Sequence, residues 1–215
     1  MNPESRIENI AIYAKDRNDL ALKENPQEKE YLIYRWLHTL RVAQYGKRLA
    51  KIEGANVELV IASCLLHDIA KLSDECHTVE HGRVGERMVR KFLKKLGYTK
   101  DERKNIRYAI ASHVDGDAGF KHPHILEAKI LSDADKLDRF STYRTALDLG
   151  DLVKEEYEDF ISAVESRVKY LRSVSELDFM QTESGKKAFE KQISVQIDYL
   201  ERLLADYEIT TLPEL

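Results

Sequence analysis

A histidine–aspartate pair, His67-Asp68, lies near the end of the most apolar stretch of the sequence, residues 57–70. Burying an imidazole and a carboxylate together costs desolvation free energy unless a partner compensates. A divalent cation would compensate, because imidazole nitrogen and carboxylate oxygen together suit Mn, Fe, Co, Zn or Ni. The pair therefore indicates a metal site.

Lys71 stands four residues after His67 and three after Asp68, so a helix would bring it to their face. A lysine beside a metal is favourable only if an anion lies between the two cations, and phosphate is the obvious anion. The alternative is a surface lysine whose aliphatic stem covers apolar side chains. The position of Lys71 thus favours a phosphate-containing ligand.

Other histidines and aspartates in apolar surroundings could complete a ligand set. These candidates are His38, His81, His113 and Asp135. Taken singly, a buried histidine is more often a hydrogen-bonded core residue than a ligand, and His81 could simply begin a helix. Asp138, three residues beyond Asp135, is interpreted as a cap, as the partner of a base or as a support for a ligand rather than as a ligand itself.

The hydrophobic periodicity that must position these residues is helical along the whole chain, and strand-like alternation is nowhere sustained. Nine glycines and four prolines also argue against a turn-rich β-sandwich or barrel. We therefore predict an all-α fold. The predicted helices cover residues 3–24, 28–53, 57–72, 81–96, 100–113, a segment from about 124 to 140, 151–173 and 182–207, with a loop at 73–78.

No linker rich in proline, glycine or serine divides the chain. We therefore expect a single domain over residues 1–215, with a metal-binding core at 30–150. The two long helices expected beyond residue 151 carry glutamate and lysine on one face, and we interpret 151–215 as a flank or lid packed on the core.

The order His, His-Asp, His, His, Asp resembles that of the HD-domain metal-dependent phosphohydrolases. The resemblance covers about residues 30–205 and includes HDIAK, HGRVGE, the SH of ASHVDG, and EAKILSDADKLD. The segment SELDFMQTESGKKAFEKQ is similar to the C-terminal helical region of small stand-alone HD hydrolases that include bacterial nucleotide pyrophosphatases. One departure is DADKLDRFSTYR, where bulky Phe140 and Tyr143 replace small residues.

The resemblance implies an HD-type helical bundle that binds one or two divalent ions, chosen from Mn, Fe, Co, Ni, Zn and Mg. The family offers two roles for His81 and His113. They would bind a second ion, with Asp68 bridging the two ions, or they would contact the substrate phosphate. The implied metal ligands are His38, His67, Asp68 and Asp135.

The implied reaction is metal-assisted hydrolysis, in which activated water attacks phosphorus. Asp68 would orient the water and Lys71 would offset phosphate charge, with Arg139 and Arg144 as weaker substrate-binding candidates. The expected substrate is a small phosphate ester or anhydride, a nucleotide cleaved as by a nucleoside triphosphate pyrophosphatase. The alternatives are a phosphodiesterase or nucleotidase of the same fold, a non-catalytic nucleotide-binding module, and a single-strand nuclease.

The composition of the chain indicates which classes of binding partner and which compartment to expect. Lys and Arg number 34 against 38 Asp and Glu, a net charge of −4, which argues against a nucleic-acid partner. The longest apolar run, 59–66, is far shorter than the roughly 20 residues of a membrane helix. Cys64 and Cys76 are too few for a disulfide framework, and the first residues lack a secretion signal, so we expect a cytoplasmic protein. A homo-oligomer is left open.

Overall fold

The computed structural model describes residues 1–72, 80–114, 124–152 and 157–210. The regular structure of these residues is helical throughout, which confirms the predicted all-α fold. The loop predicted at 73–78, together with Cys76, His77 and His122, lies outside the described residues. Among the described helices, none has both the length and the apolar composition that crossing a bilayer requires.

The helices of the described residues follow one another with short connections. They are α1 (Pro3–Glu24), α2 (Lys29–Glu53), α3 (Val57–Leu66), α4 (His81–Lys95), α5 (Lys100–Ser112), α6 (Leu126–Arg139), α7 (Thr142–Leu152), α8 (Tyr157–Ser175) and α9 (Glu183–Glu208).

Local sequence signals place several of these helix ends. The Asn56 side chain accepts a hydrogen bond from the Leu59 N–H at 3.2 Å and so caps α3. Thr99 and Glu102 form a reciprocal capping box at the start of α5. Gly54 ends α2 in the left-handed conformation with φ 72°, which glycine adopts without a steric penalty.

The predicted continuous helix over 57–72 is wrong. Helix α3 ends at Leu66, and a short 3₁₀ helix, Ile69–Leu72, follows the His67-Asp68 pair. The Lys71 N–H donates to the Asp68 carbonyl at 2.9 Å, the i to i+3 pattern that turns the chain more tightly than an α-helix. The histidine–aspartate pair therefore lies at a junction between two helices, which frees both side chains to point toward one place.

Helix α7 was not predicted from the sequence. Its start is set by Ser141, whose Oγ accepts a hydrogen bond from the Arg144 N–H at 3.1 Å. A serine that follows an apolar residue and precedes a periodic run is a typical N-cap, and this was the available signal. Helix α8 accordingly begins at Tyr157 rather than at residue 151.

The chain divides into two compact units, Met1–Asp138 and Arg139–Leu215. The proposed division into a core at 30–150 and a flank at 151–215 remains a prediction. In the first unit α3 is the central helix and packs against α1, α2 and α5. Its buried side chains include Val60, Cys64 and Leu66, so Cys64 packs in the core.

In the second unit α8 packs against α9 around an aromatic core. Phe140 is buried there, with ring centroids 5.9 Å from Phe179 and 5.4 Å from Phe189. The Gln196 amide donates to the Phe140 carbonyl at 2.6 Å and accepts from the Thr145 hydroxyl at 2.5 Å. The bulky residue that departs from the family pattern is therefore a core residue of this unit.

Candidate metal centre

His38, in the middle of α2, is buried and held by a carboxylate from α6. Its Nδ1 lies 2.7 Å from Asp138 Oδ2, and Arg41 donates to the same carboxylate from Nε at 2.5 Å and from Nη2 at 3.1 Å. Burial raises the pKa of Asp138, but the hydrogen bonds from His38 and Arg41 outweigh it and leave the pKa below its ordinary value. The tautomer of His38 that donates from Nδ1 to the ionised Asp138 has its lone pair on Nε2.

His67 and His113 are each oriented by a backbone carbonyl three residues earlier in the chain. The Nδ1 of His67 donates to the Cys64 carbonyl at 2.7 Å, and the Nδ1 of His113 donates to the Ile110 carbonyl at 2.6 Å. Burial lowers the pKa of both imidazoles, that of His67 well below its ordinary value and that of His113 to about 4. Both rings are therefore neutral near pH 7, with the Nε2 lone pair available.

The lone pairs of His38 and His67 face each other. Their Nε2 atoms are 3.2 Å apart, and Asp135 Oδ1 lies 3.3 Å from the first and 3.8 Å from the second. Two nitrogen lone pairs and a carboxylate oxygen repel one another at such distances unless a proton or a cation lies among them. The arrangement thus suits a divalent ion.

Asp68 faces every candidate histidine. Its Oδ2 lies 3.2 Å from His67 Nε2 and 3.5 Å from His38 Nε2, while its Oδ1 lies 3.0 Å from His81 Nε2 and 3.6 Å from His113 Nε2. Both oxygens are buried. Such a carboxylate is costly to bury, and a bound cation would remove the cost.

Two overlapping sets of donors emerge. His81, the first residue of α4, and His113, directly after α5, approach to 3.0 Å between their Nε2 atoms. In each set the ligand atoms lie within 4.8 Å of one another. The first ligand group is His38, His67 and Asp135, and the second ligand group is His67, Asp68 and His113. The donors fit one or two divalent ions, as the sequence predicts.

Glycines let the helices that carry these groups approach closely. A Cβ on Gly46 of α2 would lie 2.6 Å from Cys64 Sγ of α3. A Cβ on Gly82 of α4 would lie 2.7 Å from the Ile110 carbonyl oxygen of α5. Both distances are shorter than van der Waals contact allows, so the missing side chains bring α2 to α3 and α4 to α5.

Two cations contact the Asp68 carboxylate. Lys71 Nζ lies 3.1 Å from Oδ1, which places this predicted residue at the site. The second cation, Arg35, contacts Oδ2 and was not identified from the sequence. The available signal was its spacing, because Arg35 precedes His38 by three residues on one helix and so shares its face.

The remaining predicted residues belong to the second unit or to the surface. Arg139 is exposed, and Arg144 pairs with Asp148 of its own helix at 2.8 Å. Their role in substrate binding stays a prediction. His124 is exposed, as the sequence indicates.

Comparison with known proteins agrees with this geometry. The family model of the HD domain matches residues 35–139. The fold is similar to that of an HD-superfamily hydrolase from an uncultured Thermotogales bacterium, with TM-score 0.67, 22% identity and coverage of 96% of this chain and 99% of that one. An HD-superfamily hydrolase from Bacillus thuringiensis gives TM-score 0.66 at 20% identity, over 97% and 100% of the two chains.

A third solved structure, Bacillus subtilis YpgQ in complex with ADP, gives TM-score 0.61 at 18% identity over 96% of this chain and 97% of that one. Among curated proteins, none matches the chain. The HD-domain match and the converging His and Asp side chains define the class of protein. Residues 35–139 form an HD domain, the domain of a superfamily of metal-dependent hydrolases.

Proposed function

We propose that the protein hydrolyses a small phosphate ester or anhydride, a nucleotide, with nucleoside triphosphate pyrophosphatase-like cleavage. The observation that carries the proposal is the Asp68 carboxylate, each of whose two buried oxygens faces two imidazoles and one cation. Imidazoles around a carboxylate suit a metal, and cations beside it suit the anionic substrate that the metal would bind.

The proposed ligands of the principal ion are His38, His67, Asp68 and Asp135. The short distances from Asp68 Oδ1 to His81 and His113 support either of two roles for these histidines. They would help to hold a second ion, or they would hydrogen-bond a substrate phosphoryl oxygen.

The chemistry divides between the ion and the chain. A divalent ion held by these residues would lower the pKa of a bound water and polarise a phosphoryl oxygen. Asp68 Oδ1 is placed to accept a hydrogen bond from the attacking water and so to orient it. Lys71, 3.1 Å from that oxygen, offsets the negative charge that develops on the phosphoryl group. Neutral His67 and His113 keep their lone pairs available at neutral pH without competing protons.

A nucleotide substrate is supported by two observations. YpgQ, a similar fold at 18% identity, has been crystallised with ADP. The segment that resembles the nucleotide pyrophosphatases forms the start of α9 and its approach, residues 175–192.

The test is an activity panel. Protein loaded with Mn²⁺, Co²⁺ or Ni²⁺ would be incubated with nucleoside mono-, di- and triphosphates and with cyclic nucleotides, and phosphate and pyrophosphate would be measured separately. We expect pyrophosphate from triphosphates, and no activity from Asp68→Asn, which keeps the shape but loses the charge. Asp198→Asn, on an exposed face of α9, is the matched control. The proposal is wrong if no nucleotide is cleaved, or if Asp68→Asn is as active as the control.

A further inference from the structure

Helix α2 carries large apolar side chains on two opposite faces. Its core face includes Leu32, Val42 and Leu49, which are buried. On the opposite face, exposed side chains recur at spacings of three or four residues, the period that aligns them along one side of a helix. From the start of the helix this exposed stripe consists of Glu30, Ile33, Leu37, Leu40, Gln44 and Arg48.

The apolar part of the exposed stripe is an aligned row rather than a scatter. Ile33, Leu37 and Leu40 are each 37–38% exposed. Single exposed apolar side chains are ordinary on a protein surface, whereas a contiguous row with polar residues around it is typical of a surface that contacts another protein.

The two halves of the exposed stripe have different shapes. The first half presents the exposed side chains of Tyr31 and Ile33. The second half borders a groove of about 280 Å³, which is lined by Leu40, Arg41, Gln44, Tyr45 and Arg48. A two-fold interface between identical copies needs protruding side chains and a groove on the same patch, because each copy presents the same surface to the other.

The charges along the stripe are complementary in the same sense. Glu30 lies near the start of α2 and Arg48 near its end, and neither forms an ion pair with another described residue. Both positions are nine residues from Thr39. Two copies of α2 laid antiparallel about a two-fold axis at Thr39 would therefore bring each Glu30 opposite the Arg48 of the other copy. The same register brings Ile33 opposite Tyr45, and so to the groove of the other copy.

The size of the stripe determines how strong such an interface can be. At 1.5 Å per residue the stripe is about 27 Å long, and a helix with its side chains is about 10–12 Å wide. A crossing angle near 20° keeps two helices in contact over that length. The footprint is then about 300 Å² per copy, which is smaller than that of stable complexes and typical of transient ones. We therefore expect a dissociation constant on the order of 10 µM or higher.

We infer that the exposed stripe of α2 is the contact surface of a weak antiparallel homodimer. In this dimer Ile33 of each copy enters the groove of the other, and Glu30 pairs with Arg48. Arg41 lines the groove and also binds Asp138 at the metal centre, so the dimer would cover the outer side of that ion pair. The inference does not depend on which reaction the metal centre catalyses.

Sedimentation velocity of the full chain, from about 1 to 500 µM, spans the expected dissociation constant. The wild type should shift from monomer to dimer across this range. Ile33→Glu would place a charge in the apolar contact and should stay monomeric, a weakening of about 100-fold or more. Val195→Glu is the matched control, because Val195 is an exposed β-branched residue on α9, outside the stripe. It should dimerise like the wild type.

A charge exchange tests the antiparallel register. Glu30→Arg and Arg48→Glu each bring like charges together, and each should weaken dimerisation by about 3- to 30-fold. The variant that carries both changes restores opposite charges and should recover most of the wild-type affinity. This comparison also decides the inference if Ile33→Glu does not fold, because both positions are exposed.

A wild-type chain that stays monomeric over the whole range overturns the inference. So does a dimer that Ile33→Glu leaves intact, or one that Val195→Glu weakens as much as Ile33→Glu does. A double charge variant that is no better than the single ones overturns it as well, because Glu30 and Arg48 would then not face each other.

Discussion

The two ligand groups of the metal centre are built differently. The first group takes His38 and Asp135 from within long helices, and His38 is held across the fold by Asp138, which Arg41 in turn holds. The second group adds His113, which stands just after its helix and, among the described residues, donates to the carbonyl of Ile110 on its own chain segment. One group is supported by a charged network between helices, and the other by local backbone.

This difference in support should change how tightly each ligand group binds a metal ion. A carboxylate that accepts the Nδ1 proton of a metal-binding histidine fixes the ring and makes Nε2 more basic, while a carbonyl does so less strongly. We therefore expect the first ligand group to bind its ion more tightly, and the second group to hold an exchangeable ion or a phosphate.

Removing a histidine from each group should give opposite results for bound metal. His38→Ala should lose both the ion and activity, with a fall in kcat/KM of about 1,000-fold or more, because the metal supplies several kcal/mol of the catalysis. His113→Ala should lose activity yet keep one tightly bound ion. Elemental analysis after extensive dialysis measures both, and equal loss of metal from the two variants would remove the contrast.

Weakening the support of His38 should lower metal affinity without removing a ligand. Asp138→Asn can still accept the Nδ1 hydrogen bond but loses the charge, and we expect metal affinity to fall by about 10- to 100-fold. Competition with a coloured chelator measures this effect. Asp198→Asn serves as the control, and affinity equal to that of the control would show that the network does not act on the metal.

Closing the space at Gly82 should destabilise the second ligand group. A Cβ there meets the Ile110 carbonyl at 2.7 Å and His113 Cε1 at 3.3 Å, so Gly82→Ala should lower the free energy of unfolding by about 1–3 kcal/mol. The matched control is Gly150→Ala in α7, where nothing lies within 4 Å and alanine should stabilise by about 0.5–1 kcal/mol. Thermal unfolding of the two variants should shift in opposite directions, and shifts of the same sign would show that α4 and α5 can separate.

Acid should destabilise the metal-free protein through the buried imidazoles. The pKa of His113 is about 4 when folded and about 6.5 when unfolded, and that of His67 is also lowered. Between these values the unfolded chain binds more protons, so stability is present above about pH 6.5 and falls toward pH 4, by up to about 1.4 kcal/mol per pH unit for each such histidine. Urea unfolding at a series of pH values, with a chelator present, measures the slope of the free energy of unfolding against pH. His113→Gln should have a smaller slope than the wild type, and equal slopes would contradict this role of His113.

The sequence alone determined the all-α class and most helix ends, because periodicity and caps such as Asn56 act within a few residues. It also indicated the candidate ligands, since a histidine or carboxylate in an apolar run is costly to bury without a compensating partner. It did not predict the end of α3 at Leu66, because the run continues apolar through Ala70 and gives no local stop signal.

Only the tertiary structure decided which partners these residues have. His38 and Asp138 are 100 residues apart, and their 2.7 Å hydrogen bond depends on how α2 meets α6. The approach of His38, His81 and His113 to Asp68 likewise follows from packing between distant segments. Helical periodicity records which face of each helix is buried, but it carries no record of which other helix that face meets.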